Sequence, residues 1–150
     1  MNKQEIIKLQ NKILDMVPNR SGIYLVDCCS EISRLIIGWL FAYDNNYEFY
    51  ILKGDNVLSS DKSHDILVVK KGSEISIIDP TIWQFFPKAK TILVYGGNDI
   101  KSGIDKIKRK YKGNWNLGKQ ESIPDSDTQK MYINIIKSNI IENVKEISIE

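Results

Sequence analysis

Within one short interval this chain carries three residue types that together can activate a nucleophile. His64 is its only histidine, Asp79 follows on the next apolar segment, and Cys28 and Cys29, its only cysteines, lie upstream. An imidazole beside a carboxylate is a base with its orienting group, and a thiol is a nucleophile such a pair can serve. The segment joining histidine to aspartate reads as a β-hairpin. Ile66, Leu67, Val68 and Val69 form one apolar run, Ile75, Ile77 and Ile78 the second, and Lys71-Gly72 the turn between them. With Lys71 and Gly72 as the two loop residues, Val68 faces Ile75, Ile66 faces Ile77 and His64 lies directly opposite Asp79. Their Cβ atoms would then stand roughly 4.5–5.5 Å apart on one face. A lone histidine at a strand end is more often structural, so the pair alone does not define a site.

The thiols must be brought to that strand end. Asp27 reads as a helix N-cap, followed by a helix from about Cys28 to Tyr43 whose apolar stripe is Ile32, Leu35, Ile36, Trp39, Leu40 and Tyr43, with Ser30 and Arg34 on the far side. A thiol in the first turn of a helix sits at the positive end of the macrodipole, which favours the thiolate. At about 100° per residue the two cysteines flank the centre of the apolar arc, roughly 50° to either side. Helical geometry therefore does not choose between them, and buried cysteine is also a common small hydrophobe.

Composition sets the frame. A chain of 150 residues suits one domain and buries enough surface to need no disulfide or metal staple. A net charge of +2 is too small to imply nucleic acid. Adjacent cysteines cannot cross-link distant parts of a fold, and one histidine with two neighbouring cysteines does not make a zinc site. No cofactor is expected. The N-terminal stretch alternates charges without an apolar core, unlike a signal peptide, and the longest apolar run, Leu35–Ala42, is too short to cross a membrane.

Taken in order, Asn2–Val17 reads as an amphipathic helix and Ile23–Val26 as a short strand or buried lead-in to the Cys helix. Strands are expected at Tyr47–Leu52, across the hairpin and at Thr91–Tyr95. A polar loop, Gly54–Ser63, delivers His64, and Ile82–Phe86 is an aromatic cluster packed on the sheet. Asn98–Tyr111 reads as a helix carrying Lys101, Lys106, Lys108, Arg109 and Lys110, Gly113–Pro124 as a loop anchored by Trp115, and Ser126–Ile141 as a last helix. The order α-α-β-β-β-β-α-α gives an α+β fold with a central antiparallel sheet and the Cys helix packed on it. The basic helix reads first as a solvated face; its functional alternative is docking, through Lys106, Lys108, Arg109 and Lys110, to an acidic protein or an anionic membrane.

Cys29-Ser30-Glu31-Ile32-Ser33 resembles the Cys-x-Glu/Asp-x-Ala/Ser signature on the nucleophile helix of transglutaminase-like and arylamine N-acetyltransferase enzymes. His64-Asp65-Ile66-Leu67-Val68 is similar to their histidine strand, and Ile78-Asp79-Pro80-Thr81 to the Asp-Pro-Thr closing the same hairpin. The closest overall likeness, over Asp27–Phe86, is to papain-fold toxin and effector domains of bacteria, several of which are protein glutamine deamidases. The resemblance implies a papain-like fold, Cys29 as nucleophile with Cys28 as the alternative, His64 and Asp79 as its base and orienter, and a protein substrate. It also implies a bacterial protein acting in the cytoplasm or delivered by a specialised secretion system. The sequence departs from the pattern where papain-like enzymes often carry a Gln shortly before the Cys, since none lies in Pro18–Asp27. Cys29 N–H can supply one oxyanion donor, and Asn19 and Gln84 are candidates for a second. Trp83 and Gln84 are candidates for lining the site, with core packing the plainer reading. The Arg and Gly that acetyltransferases carry before the Cys are absent. Glutamine deamidation is thus the expected reaction. Peptide or isopeptide hydrolysis, transglutamination and a non-catalytic binding module are the alternatives.

Overall fold

Residues 48–97 build four consecutive strands, the middle two buried almost continuously because both faces of the sheet are covered. In the computed structural model, residues 1–16 and 28–149 are described, with side chains as far as Asn139. Helix α1 spans Lys3–Met16 and α2 Cys29–Tyr43. Strands β1 (Glu48–Asp55), β2 (His64–Lys71), β3 (Glu74–Asp79) and β4 (Leu93–Gly97) follow, then α3 (Ile100–Tyr111), β5 (Asn114–Gln120) and α4 (Ser126–Ile149). The strands form one antiparallel sheet in the order β4-β3-β2-β1-β5. The α+β architecture expected from the sequence is therefore present, with one strand more than anticipated. The segment read as a loop over 113–124 holds β5, an edge strand whose only buried residue is Trp115. A strand with a single buried side chain carries no apolar alternation, which is why the sequence pattern misses it.

Strand periodicity sends alternate residues to two separate cores. Phe49, Ile51, Leu67, Val69 and Ile78 face α1, α2 and α4, where Leu9, Ile13, Ile32, Leu35, Ile36, Leu40 and Ile136 meet them. Leu52, Ile66, Val68 and Ile77 face α3, whose Ile107 and Tyr111 close the second core together with Trp115. Helix α3 thus crosses one face of the sheet and carries the chain from the β4 edge to β5 at the opposite edge. Helix α2 is buried on a wider arc than its expected stripe. Ser33, Ile37 and Gly38 are buried as well, because α4 covers the side away from the sheet. Gly38 has Gln129 of α4 against it. Tyr43, placed in the stripe from its spacing, is exposed. The N-cap position is taken by Cys28, one residue later than expected; Asp27 and the Ile23–Val26 segment lie outside the described residues.

The hairpin differs from expectation in register. Lys71 pairs with Glu74 and Val68 with Ile77, so the loop is Gly72-Ser73, with Gly72 at φ 60° in the first loop position. The slip is two residues, not one, and a two-residue slip preserves the face of every side chain. His64 and Asp79 accordingly still share a face, but as diagonal neighbours; it is Ile66 that falls opposite Asp79 when the ladder is continued. On the other side His64 pairs with Gly54 of β1, and Gly54 pairs with Trp115 of β5. The missing side chain at Gly54 lets the Trp115 indole lie across β1 towards His64. A Cβ there would stand 2.5 Å from the indole ring. We expect Gly54→Ala to lower stability by about 2 kcal/mol through this overpacking and Gly96→Ala, which meets nothing within 4 Å, to change it little. Urea denaturation of the two variants checks this.

Candidate active site

The Asp-Pro-Thr sequence makes its own carboxylate cradle. Pro80 ends β3, and the backbone N–H of Thr81 turns back to donate to Asp79 Oδ1 at 3.0 Å, with the Thr81 hydroxyl at 3.5 Å from the same oxygen. His64 Nε2 lies 2.9 Å from Oδ2. The Tyr111 hydroxyl, from the last turn of α3, donates to that same Oδ2. Asp79 and His64 are 0% and 1% exposed. A carboxylate so fully withdrawn from water is tolerable only with each oxygen hydrogen-bonded and a cation beside it, and both conditions are met.

The imidazole is held by rings on three sides. Phe85 meets it edge-on at 4.8 Å between centroids, Tyr111 stacks at 5.8 Å and 28°, and Trp115 stands edge-on at 6.5 Å. Burial alone would keep the ring neutral. The charge of Asp79 and its hydrogen bond outweigh that, with a further contribution from Cys29, and raise the His64 pKa from 6.5 to about 10. With Nε2 committed to Asp79, Nδ1 is the nitrogen left for a reacting group. It is buried and makes no hydrogen bond of regular geometry among the described residues. The Cys29 thiol acts on the ring without meeting that geometry, as loosely aligned nucleophile–base contacts do in enzymes without substrate.

Cys29 and His64 come from opposite faces of the sheet. They meet because each stands at an element's beginning, α2 for one and β2 for the other, at the same end of the sheet. Both open on a cavity of about 480 Å³ that is also lined by Ser30, Asp61, Lys62, Ser63, Asp65, Gln84 and Phe85. The wall at 61–63 is fixed by buried Val57, whose N–H donates to Lys62 O at 3.1 Å. The first turn of α2 is tied down by Arg34. Its guanidinium bonds to the Ser30 hydroxyl, stands 3.7 Å from Asp65 at the start of β2 and pairs with Glu121 beyond β5 at 3.1 Å. The α2 N-cap residue, Cys28, supplies no side-chain cap. The intrahelical ladder begins with Ile32 N–H on Cys28 O, so Cys29 N–H has no partner within the helix and is suited to bind an oxyanion.

The two cysteines, indistinguishable by helical geometry, are separated by the fold. Cys28 is fully buried in the α1/α2/α4 core, where Asn139 Nδ2 donates to its sulfur at 3.3 Å, and Cys29 is partly exposed at the cavity. Gln84 lines the cavity. Trp83 does not: it is a core residue whose indole N–H donates to Ala89 O at 2.7 Å. Asn19 lies outside the described residues. Tyr111 was not singled out from the sequence. Its signal was its place on the stripe Ile100, Ile104, Ile107, Tyr111, the one apolar face of an otherwise basic helix.

No family model, curated protein or solved structure matches this chain. Among the described residues, no helix is long and apolar enough to cross a membrane.

Three outcomes follow from the site. Iodoacetamide at neutral pH should label Cys29 and spare Cys28, and peptide mapping reads the ratio. Asp79→Asn removes the charge that opposes burial, so the His64 pKa should fall from about 10 to below its ordinary 6.5; the sole histidine makes this visible by NMR. In the wild type the folded pKa of His64 lies above the unfolded one. Its contribution to stability is therefore full below pH 6.5 and is lost as pH rises towards about 10. The melting temperature should fall across that window, and fall less in His64→Gln.

Proposed function

We propose that this chain is a papain-like thiol amidohydrolase that deamidates a glutamine side chain in a protein partner. The observation that carries the reading is the convergence of Cys29 and His64 on one cavity, with Asp79 buried against the far nitrogen of the imidazole. Cys29 as thiolate attacks the carboxamide carbon. The oxyanion forms against Cys29 N–H, with Gln84 as a second donor. His64, protonated and oriented by Asp79, gives its Nδ1 proton to the departing ammonia, leaving a thioester. The neutral imidazole then takes a proton from water, hydroxide adds to the thioester, and glutamate leaves as the thiol is restored.

A cavity of about 480 Å³ supports the entry of one side chain. Among the described residues no second subdomain extends it into a peptide-binding cleft, which favours deamidation over proteolysis. Transglutamination needs an amine to outcompete water at the thioester; Asp61 and Asp65 of the cavity wall are the groups that could hold one, which keeps it as a sister reaction.

The partner surface we propose is acidic. Residues 100–112 hold six cations against one carboxylate, while the whole chain carries only +2, so the rest is net negative. None of these six side chains has an ion pair among the described residues; Lys106 and Lys110 lie over the Tyr95 and Phe86 rings. Phe86 packs on Tyr111, so this basic surface abuts the site. The same feature supports the alternative of a non-catalytic binding module.

Mass spectrometry of cell lysate incubated with wild type or Cys29→Ala tests the reading. The expected result is conversion of Gln to Glu at a defined position of an intact protein, present only with wild type. Lys108→Glu/Arg109→Glu should slow that conversion at least tenfold without changing iodoacetamide labelling of Cys29. A cut or amine-linked partner would displace deamidation in favour of the sister reactions, and an effect in cells that survives Cys29→Ala would favour the binding module.

A further inference from the structure

The last turn of α3 delivers a tyrosine to the one atom on which the His64–Asp79 pair turns. Tyr111 is fully buried, its hydroxyl donates to Asp79 Oδ2, and His64 Nε2 sits on that same oxygen at 2.9 Å. The Tyr111 ring is also the surface on which the imidazole stacks. Packing would need the ring alone. A phenol hydroxyl in the second core, among Leu52, Val57, Ile66, Val68, Ile77 and Ile107, is costly to bury unless it is bonded, and this one is bonded to the carboxylate.

We propose that Tyr111 is a positioning residue that sets the basicity of His64 by competing with it for Asp79 Oδ2. The inference rests on the thiol-hydrolase reading above, since it concerns how that site is tuned. A general acid whose pKa is raised as far as that of His64 gives up its proton more readily when the charge that raises it is weakened. An imidazolium paired with a buried carboxylate that has no other donor on that oxygen would hold its proton too tightly to give it to leaving ammonia. The Tyr111 hydroxyl draws charge from Oδ2 and so weakens the pull on Nε2–H, while Thr81 does the same at Oδ1. Tyr111 itself stays protonated, because burial, then the charge of Asp79 and the bond to it, push its own pKa upwards. The other groups that bear on the ring are known. Cys29 approaches from α2, Asp61, Lys62 and Asp65 line the cavity, Arg34 neighbours Asp65, and Tyr95 acts on Tyr111 from β4. None of them shares Oδ2, so a change confined to the Tyr111 hydroxyl reports on this competition.

The experiment is an NMR titration of His64 in the full chain, for which a single histidine gives an unambiguous signal. Three forms are compared: wild type, Tyr111→Phe, and protein with 3-fluorotyrosine at position 111, a stronger donor of the same shape. The proposal requires opposite shifts, the His64 pKa rising by about one unit in Tyr111→Phe and falling in the fluorinated protein. The pH profile of Cys29 alkylation should move in the same two directions. If the pKa moves by less than 0.2 units (about a fifth of the expected shift) in both, or falls in Tyr111→Phe, Tyr111 is only a packing residue and the proposal is wrong. The fluorinated protein keeps the test decisive if Tyr111→Phe does not fold. Because the titration needs no substrate, its outcome is independent of whether glutamine is the group attacked.

Discussion

A carboxylate with no exposure to water, Asp79, is the constraint around which this fold is arranged. An unpaired buried carboxylate is among the most costly groups a small domain can contain. Its four contacts come from three places: the turn that ends its own strand, the first residue of the neighbouring strand, and the helix that crosses the sheet. Breaking any of these leaves charge or a donor stranded in a dry core. The hairpin register, the passage of α3 across the sheet and the loop that leads to His64 are therefore coupled through one side chain. The same arrangement that makes the carboxylate tolerable makes the histidine basic, so burial and basicity share one cause.

The second requirement is to bring a thiol round the end of the sheet. Helix α2 lies on the face opposite His64, and its first turn must reach the start of β2. Arg34 spans from Ser30 to Asp65 and Glu121, joining the helix start to β2 and to the chain beyond β5. It sits on the polar side of α2, where it reads as an ordinary solvated residue, yet it holds the turn that carries Cys29. Small polar pairs of this kind are worth little individually at a surface. On the function proposed above, their value lies in fixing a distance, which matters more to a nucleophile than to stability.

Much of the site was legible in the sequence because period-two patterning is insensitive to a two-residue slip. The pattern puts the loop at Lys71-Gly72 where the structure has Gly72-Ser73, yet it puts His64 and Asp79 on the face they share. The Asp-Pro-Thr turn is local, and its capping follows from residue types alone. What the sequence hid was non-local. Tyr111 looks like the end of an amphipathic stripe until the helix is laid across the sheet. Strand β5 buries only Trp115 and owes its existence to pairing with β1. Helical geometry leaves the two cysteines equivalent and only the motif favours Cys29; the fold separates them, with α4, through Asn139, closed over Cys28. Trp83 follows the plainer reading, its indole N–H on a backbone carbonyl and its ring in the core.

On the function proposed above, Cys29 and His64, oriented by Asp79, form a working nucleophile–base pair shaped for a carboxamide side chain. This is tested most directly with a short acidic peptide whose central residue carries a chloromethyl ketone in place of the glutamine amide. Intact mass and peptide mapping read the outcome. One adduct per chain is expected, on Cys29, formed at least tenfold more slowly in His64→Gln. An adduct on Cys28, or equal labelling of Cys29 with and without His64, would contradict it.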